Sequence, residues 1–299
     1  MIFTVKKTGF IAFILLLGMM LVLSACGSKD ADENNGSGEV TGPAAETPQA
    51  EEPAAEPTLL DKIKESGKLR LGTSADYPPY EFHKLIEGKD TIIGFDIEIA
   101  KAIAADLGVE LEITDMGFDG LLTALQSGNI DMVLAGMTPN EERSNAVDFS
   151  DVYYTAVQKV IVRAEDKDKY KTIDDLKGLQ VGAQLGAIQE GIVKEQMPES
   201  KLRSLTKLPD LILDLKSKNV EAVVVEEPVA AAYIGANPEL VISDIQLQQD
   251  EAGSAVALPK NSPELVEAVN ATLKRLADEG KIAQFVTEAT NAMENEKPE

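Results

Sequence analysis

A single cysteine, Cys26, and a single histidine, His83, stand in a chain of 299 residues, and their isolation removes much of the chemistry the chain could perform. A zinc site needs three or four Cys, His or acidic ligands, and a thiol nucleophile needs a histidine that is free to serve it. Neither set can be assembled, so no metal is expected and His83 reads as a surface or loop residue. The patterns GxSxG, GxxxxGKS/T and HExxH are absent, as is GxGxxG followed by a ribose-binding acid. Glu226 and Glu227 are adjacent, but neighbours on one element do not converge on one substrate bond, so acid/base catalysis is unsupported and no cofactor is expected. What remains is a series of polar or aromatic residues just beyond apolar runs. Ser74, Asp76 and Tyr77 follow residues 69–73, Phe118 follows 109–114, and Gly136, Met137, Thr138 and Arg143 follow 132–135. Gln184, Ala187 and Ile188 follow 179–183, and Glu226 follows 222–225. Open α/β sheets bind ligands beyond the carboxyl ends of their strands, which makes this the spacing of a binding cleft.

The elements that must carry these residues follow from periodicity. Residues 69–73 form a short β run. Residues 95–107 place Ile97, Ala100, Ala104 and Leu107 on one helical face, and 109–114 are again β-like, which is a βαβ opening. A second helix carries Leu121, Leu122 and Leu125, and a buried strand at 132–135 runs into a corner at Gly136. The alternation continues with β at 157–162, a short helix near Asp174, β at 179–183, a helix from about Ala187, β at 222–225 and a helix from Pro228. Gly182 and Gly186 have the spacing of a tight strand-to-helix turn rather than of a dinucleotide loop. The last β run, 254–258, leads through Ser262 as N-cap and Pro263 at the first helical position into a helix bearing Leu265, Val269, Leu273 and Leu276. This order predicts an α/β protein with parallel sheets covered by helices.

Composition sets the partners. The chain holds 28 Lys plus Arg against 51 Asp plus Glu, a net charge of −23. Nucleic-acid binding needs clustered bases, so that class of partner is excluded and a small or cationic one fits better. Lys6 and Lys7 precede an apolar run at residues 10–23, too short to span a bilayer and followed by Leu23-Ser24-Ala25-Cys26. That pattern resembles the lipobox of bacterial lipoproteins. It assigns residues 1–25 to a signal peptide and makes Cys26 the lipidated first residue of an extracytoplasmic protein held on the outer face of the cell membrane. Residues 26–57 then form an acidic tether with almost no large apolar residue, expected to be disordered. Beyond residue 57, 25 bases face 43 acids, leaving −18 on the remainder.

Together with Gly94-Phe95-Asp96-Ile97 and the segment at 252–257, the strand-end segments resemble the polar amino-acid-binding proteins of ABC importers, most closely the arginine-binding lipoproteins of Gram-positive bacteria. The resemblance spans about residues 59–285. It implies a two-lobed periplasmic-binding-protein-like fold of type II with two crossover strands. Lobe one would take residues 59–155 and 250–299, and lobe two 156–249. The protein would be a monomer that encloses an amino acid between its lobes and docks on a membrane permease. Arg143 matches the family's carboxylate-binding arginine, helped by Thr138 and by the amides of Ala187 and Ile188 at a helix N-terminus. Glu226 matches the ammonium-binding acid, one methylene longer than the family's usual Asp, so either the ligand shifts or Glu226 tilts back. Ala187-Ile188 stands where relatives often have Thr-Thr, which removes a hydroxyl from the carboxylate site. Tyr77 and Phe118 would flank the ligand's side chain, with Asp76 adding a carboxylate and Ser74 and Gln184 neutral hydrogen bonds. That set favours arginine or another cation. A neutral ligand such as glutamine or cystine is the alternative. Another is an enzyme on the same fold, similar to cyclohexadienyl dehydratase.

Overall fold

The computed structural model describes residues 56–248 and 253–294. The expected signal peptide, the lipidated Cys26 and the tether up to residue 55 lie outside them. Folding starts where the apolar content returns. Thr58 caps α1 (Leu59–Ser66) through a reciprocal box in which the Asp61 amide donates to the Thr58 hydroxyl at 3.1 Å and the Thr58 amide to Asp61 at 3.0 Å.

The first lobe then runs β1 (Lys68–Thr73), β2 (Asp76–Tyr77), β3 (Glu81–Ile86), β4 (Lys89–Ile93), α2 (Phe95–Leu107), β5 (Glu110–Asp115), α3 (Leu121–Gln126), β6 (Met132–Val133), α4 (Glu141–Ala146) and β7 (Asp148–Tyr154). The second contains β8 (Gln158–Arg163), β9 (Gln180–Gln184), α5 (Ile188–Gln196), β10 (Lys201–Leu205), α6 (Leu208–Lys216), β11 (Ala222–Glu226), α7 (Glu227–Ala236) and β12 (Leu240–Ile242). The chain returns to the first sheet as β13 (Ser254–Leu258) and ends its described course in α8 (Pro263–Asp278) and α9 (Lys281–Glu294). Near Asp174 the helix is one 3₁₀ turn, Ile173–Leu176.

One five-stranded sheet has the order β5-β1-β6-β13-β7 and the other β10-β9-β11-β8-β12. Neither is purely parallel, which corrects the sequence-based expectation: β13 opposes β6 and β7, and β8 opposes β11 and β12. The reason lies in the connections. A parallel neighbour needs a crossover helix to bring the chain back to the starting end, whereas β8 and β13 are each entered directly from the other lobe. The β2-β3-β4 ribbon is antiparallel and places His83 on an exposed strand, where Nδ1 lies 3.0 Å from Asp90 and Nε2 3.3 Å from Asp115.

The cores lie between sheet and helices, with Leu69, Leu71, Ile97, Ile99 and Ile103 fully buried in one and Val181, Ala183, Ala222 and Val160 in the other. The α8 stripe of Leu265, Val269, Leu273 and Leu276 is buried as its spacing requires. Ser262 holds the N-cap position, but its hydroxyl donates to the Pro259 carbonyl at 2.5 Å and caps nothing. Of the apolar run 132–135 only Met132 and Val133 pair as strand. Leu134 and Ala135 stay buried while turning toward Gly136.

Candidate ligand-binding site

The carboxyl ends of β1, β6, β9 and β11 meet in the cleft between the lobes around a small, nearly filled cavity. The first lobe contributes Tyr77, Phe118, Gly136, Thr138 and Arg143 to its wall, and the second Gln184, Ala187, Ile188 and Glu226. All nine were expected. Ala135 and Gln189 also line it, and Ser74, Asp76 and Met137 do not. The Met137 side chain packs in the core beneath, and the Ser74 hydroxyl donates to Asp76 at 3.1 Å.

Arg143 is placed by α4, whose N-cap Asn140 accepts the Arg143 amide at 2.8 Å. Its Nη1 donates to the Thr138 carbonyl at 2.6 Å and its Nη2 across the cleft to the Gly186 carbonyl at 2.8 Å. The guanidinium lies over the Phe118 ring, 5.3 Å from the centroid. Only 8% of Arg143 is exposed, and burial lowers its pKa to about 10, which leaves it a cation at neutral pH. No carboxylate pairs with it among the described residues. The Ala187 amide, expected to face an anion, closes a turn on the Gln184 carbonyl at 3.1 Å, so the Ile188 amide is the one left at the start of α5.

Glu226 ends β11 and is 3% exposed. The Tyr80 hydroxyl donates to it from the other lobe, and Gln158 hydrogen-bonds it within its own. Burial raises its carboxyl to about 7. The carboxyl is thus tied to a tyrosine and a glutamine rather than left to reach forward. Gln158 accepts from Gln189 Nε2 at 2.9 Å, and the same nitrogen lies 3.4 Å from the Tyr77 hydroxyl. Tyr80, Gln158 and Gln189 were missed in the sequence. Tyr80 and Gln189 lie within strand-end segments and had that much signal. Gln158 had none, because it comes to the site at the start of a strand, through the crossover.

Gly136 shows why a residue without a side chain stands at the β6 corner. Its φ is +55°, and a Cβ there would lie 3.3 Å from ring atoms of both Tyr77 and Tyr80. Its amide donates to Asp96 Oδ2 at 2.9 Å, which also accepts the Tyr153 hydroxyl at 2.8 Å. Asp96 is fully buried and burial raises it to about 6. Burial and Asp96 together hold the neighbouring Glu81 carboxyl well above its ordinary range. This buried acid pair backs the ligand-side loop. Among the described residues no acidic, His or Cys cluster could hold a metal, and no helix is long and apolar enough to cross a membrane.

Two α/β lobes closing on a small cavity with a buried cation and a buried carboxyl in its wall define a two-lobed binding protein. Residues 69–290 match the bacterial extracellular solute-binding proteins, family 3, and the chain belongs to that family. The arginine-binding extracellular protein ArtP of Bacillus subtilis (strain 168) is 46% identical over 228 residues, covering 74% of this chain and 86% of ArtP. The amino-acid ABC transporter substrate-binding protein AbpA of Streptococcus pneumoniae, solved bound to L-arginine, superposes with a TM-score of 0.76 at 43% identity, covering 78% of this chain and 98% of that one. AncCDT-1, an ancestral amino-acid-binding protein and precursor of cyclohexadienyl dehydratase, superposes with a TM-score of 0.71 at 36% identity over 78% of this chain and all of its own.

Proposed function

We propose that the protein binds a free amino acid between its lobes and presents it to the permease of an ABC importer. One observation carries the reading. Arg143 and Glu226 are buried in the lining of one cavity, one from each lobe, and among the described residues neither has an oppositely charged protein partner. An unpaired buried charge is costly, so such a pair fits a ligand that brings both charges, a carboxylate for Arg143 and an ammonium for Glu226. L-arginine is the ligand we infer. Tyr77 and Phe118 put aromatic rings in the cavity wall, the net charge of −18 on residues 58–299 attracts a cation, and ArtP and AbpA above are arginine-binding. Lipidation of Cys26 would anchor this monomeric receptor to the outer face of the membrane.

A thermal-shift panel over the amino acids tests this. Arginine at a thousand times its dissociation constant should stabilise the protein by about 4 kcal/mol, on the order of 10 °C. Arg143→Ala should abolish the shift for every amino acid, since all share the carboxylate. A retained shift would refute the role of Arg143, and glutamine binding tightest would refute the cation preference.

The raised carboxyl of Glu226 favours a second reading, since a carboxyl that titrates near 7 inside a cavity is what a general acid requires. An elimination on a cyclic amino-acid precursor, monitored by mass spectrometry, would reveal it. Unchanged precursor after prolonged incubation leaves binding as the whole activity.

A further inference from the structure

Asp76 was expected to extend a carboxylate to the ligand, yet its polar atoms are engaged by the opposite lobe. Oδ2 accepts the Leu208 amide at 3.1 Å and lies 3.9 Å from Lys207 Nζ. Oδ1 accepts from Gln184 Nε2 at 3.3 Å, besides the Ser74 hydroxyl on its own side. Its backbone carbonyl accepts the Tyr233 hydroxyl at 2.8 Å. Thus β9, the start of α6 and α7 all reach one residue of β2, which is 8% exposed.

The sequence of α6 explains why it reaches across. Its N-cap is Lys207, a cation whose side chain cannot accept the first-turn amides, and Pro209 at the second position has no N–H. The Leu208 amide is therefore a first-turn donor with no local cap, at the positive end of the helix dipole. Asp76 supplies the acceptor and the negative charge from the other lobe. Lys207 reinforces it, lying also 3.6 Å from Asp115 of β5. Gln184 joins this contact to the cavity. Its amide nitrogen is held between Asp76 and the Thr206 carbonyl, at 3.1 Å from the latter, so its oxygen is the polar atom left over.

We propose that Asp76 is a closure latch: a positioning residue that caps α6 across the cleft and sets how long an amino acid is held without choosing which one. The inference rests on the amino-acid-binding reading above. A charge-assisted bond made only when the lobes meet raises the population of the closed form, and apparent affinity scales with that population. Because the latch does not touch the bound molecule, it multiplies every affinity by the same factor.

Asp76→Asn keeps the size and removes the charge, and Lys207→Gln weakens the same contact from the other side. With L-arginine in stopped flow, Asp76→Asn should raise koff about tenfold and leave kon within about twofold. The ratio of arginine to glutamine affinity should stay unchanged, as should the melting temperature of the unliganded protein. Lys207→Gln should raise koff by a smaller factor in the same direction. An unchanged koff in both variants overturns the latch. A changed arginine-to-glutamine ratio overturns it too, because Asp76 would then be contacting the ligand. Hydrogen exchange at the Leu208 amide separates this idea from the identity of the ligand. Saturating L-arginine should protect that amide about tenfold less in Asp76→Asn than in the wild type. If arginine does not bind the wild type, the arginine reading falls and L-glutamine takes its place in the exchange comparison, where equal protection in both proteins sinks the latch.

Discussion

Glu226 is held neutral over part of the pH range in which a binding protein works, and this has a measurable consequence. Its carboxyl is raised from 4.5 to about 7, with burial as the largest cause, so the folded protein binds a proton there more tightly than the unfolded chain does. The resulting stabilisation is fully present below pH 4.5 and is lost as pH rises through 7, an effect of roughly 3 kcal/mol. An ammonium seated beside Glu226 would pull the carboxyl back down, so binding below pH 7 should release a proton and affinity should rise from pH 5 to 7. Calorimetry with arginine at pH 6 in two buffers of different ionisation enthalpy reads this directly. Wild type should release up to one proton and Glu226→Gln measurably less. Equal release by the two proteins would remove Glu226 from the ammonium site.

The junction of β3, β4 and α2 shows how an element can be decided by one residue. Gly94 is the N-cap of α2 with φ +136°, and a Cβ there would stand 2.0 Å from the Tyr80 carbonyl oxygen. The Asp96 amide donates to that same carbonyl at 3.0 Å and the Phe95 amide to the Pro79 carbonyl at 3.1 Å, so the helix starts against the turn that carries Tyr80. Gly94→Ala should destabilise the protein by roughly 2–4 kcal/mol in chemical denaturation, because backbone rather than a flexible side chain must give way. It should also weaken arginine binding, since the displaced turn carries the Tyr80 hydroxyl away from Glu226. A stability loss below about 1 kcal/mol would mean that the turn is softer than its contacts imply.

At the scale of the whole molecule, ligand binding should not need residues 27–57. Residues 27–57 offer almost no large apolar side chain to dock, and the first cap, Thr58, is local to α1. A chain trimmed to residues 58–299 should therefore bind arginine with unchanged affinity in calorimetry, and Cys26→Ser should move the full-length protein from the membrane fraction to the soluble one. Loss of affinity on trimming would show that residues 27–57 take part in binding.

The strand ends, the helical stripes and the alternation of β and α segments were legible in the chain, because apolar periodicity records which face of an element meets a core. Arg143 and Glu226 could be singled out on the motif around each, and their meeting across one cavity required the fold. Four features were decided only by tertiary structure. The antiparallel course of β8 and β13 depends on which lobe the chain arrives from. The antiparallel β2-β3-β4 ribbon passed unread in the sequence. The arrival of Gln158 beside Glu226 joins residues 68 positions apart. The turning of Asp76 from the cavity to α6 depends on an uncapped helix 132 residues away. Local propensity and periodicity are properties of neighbouring residues, and the sequence carries them. Which uncapped amide or buried charge finds its partner depends on how distant segments pack, and that was settled when the two lobes came together.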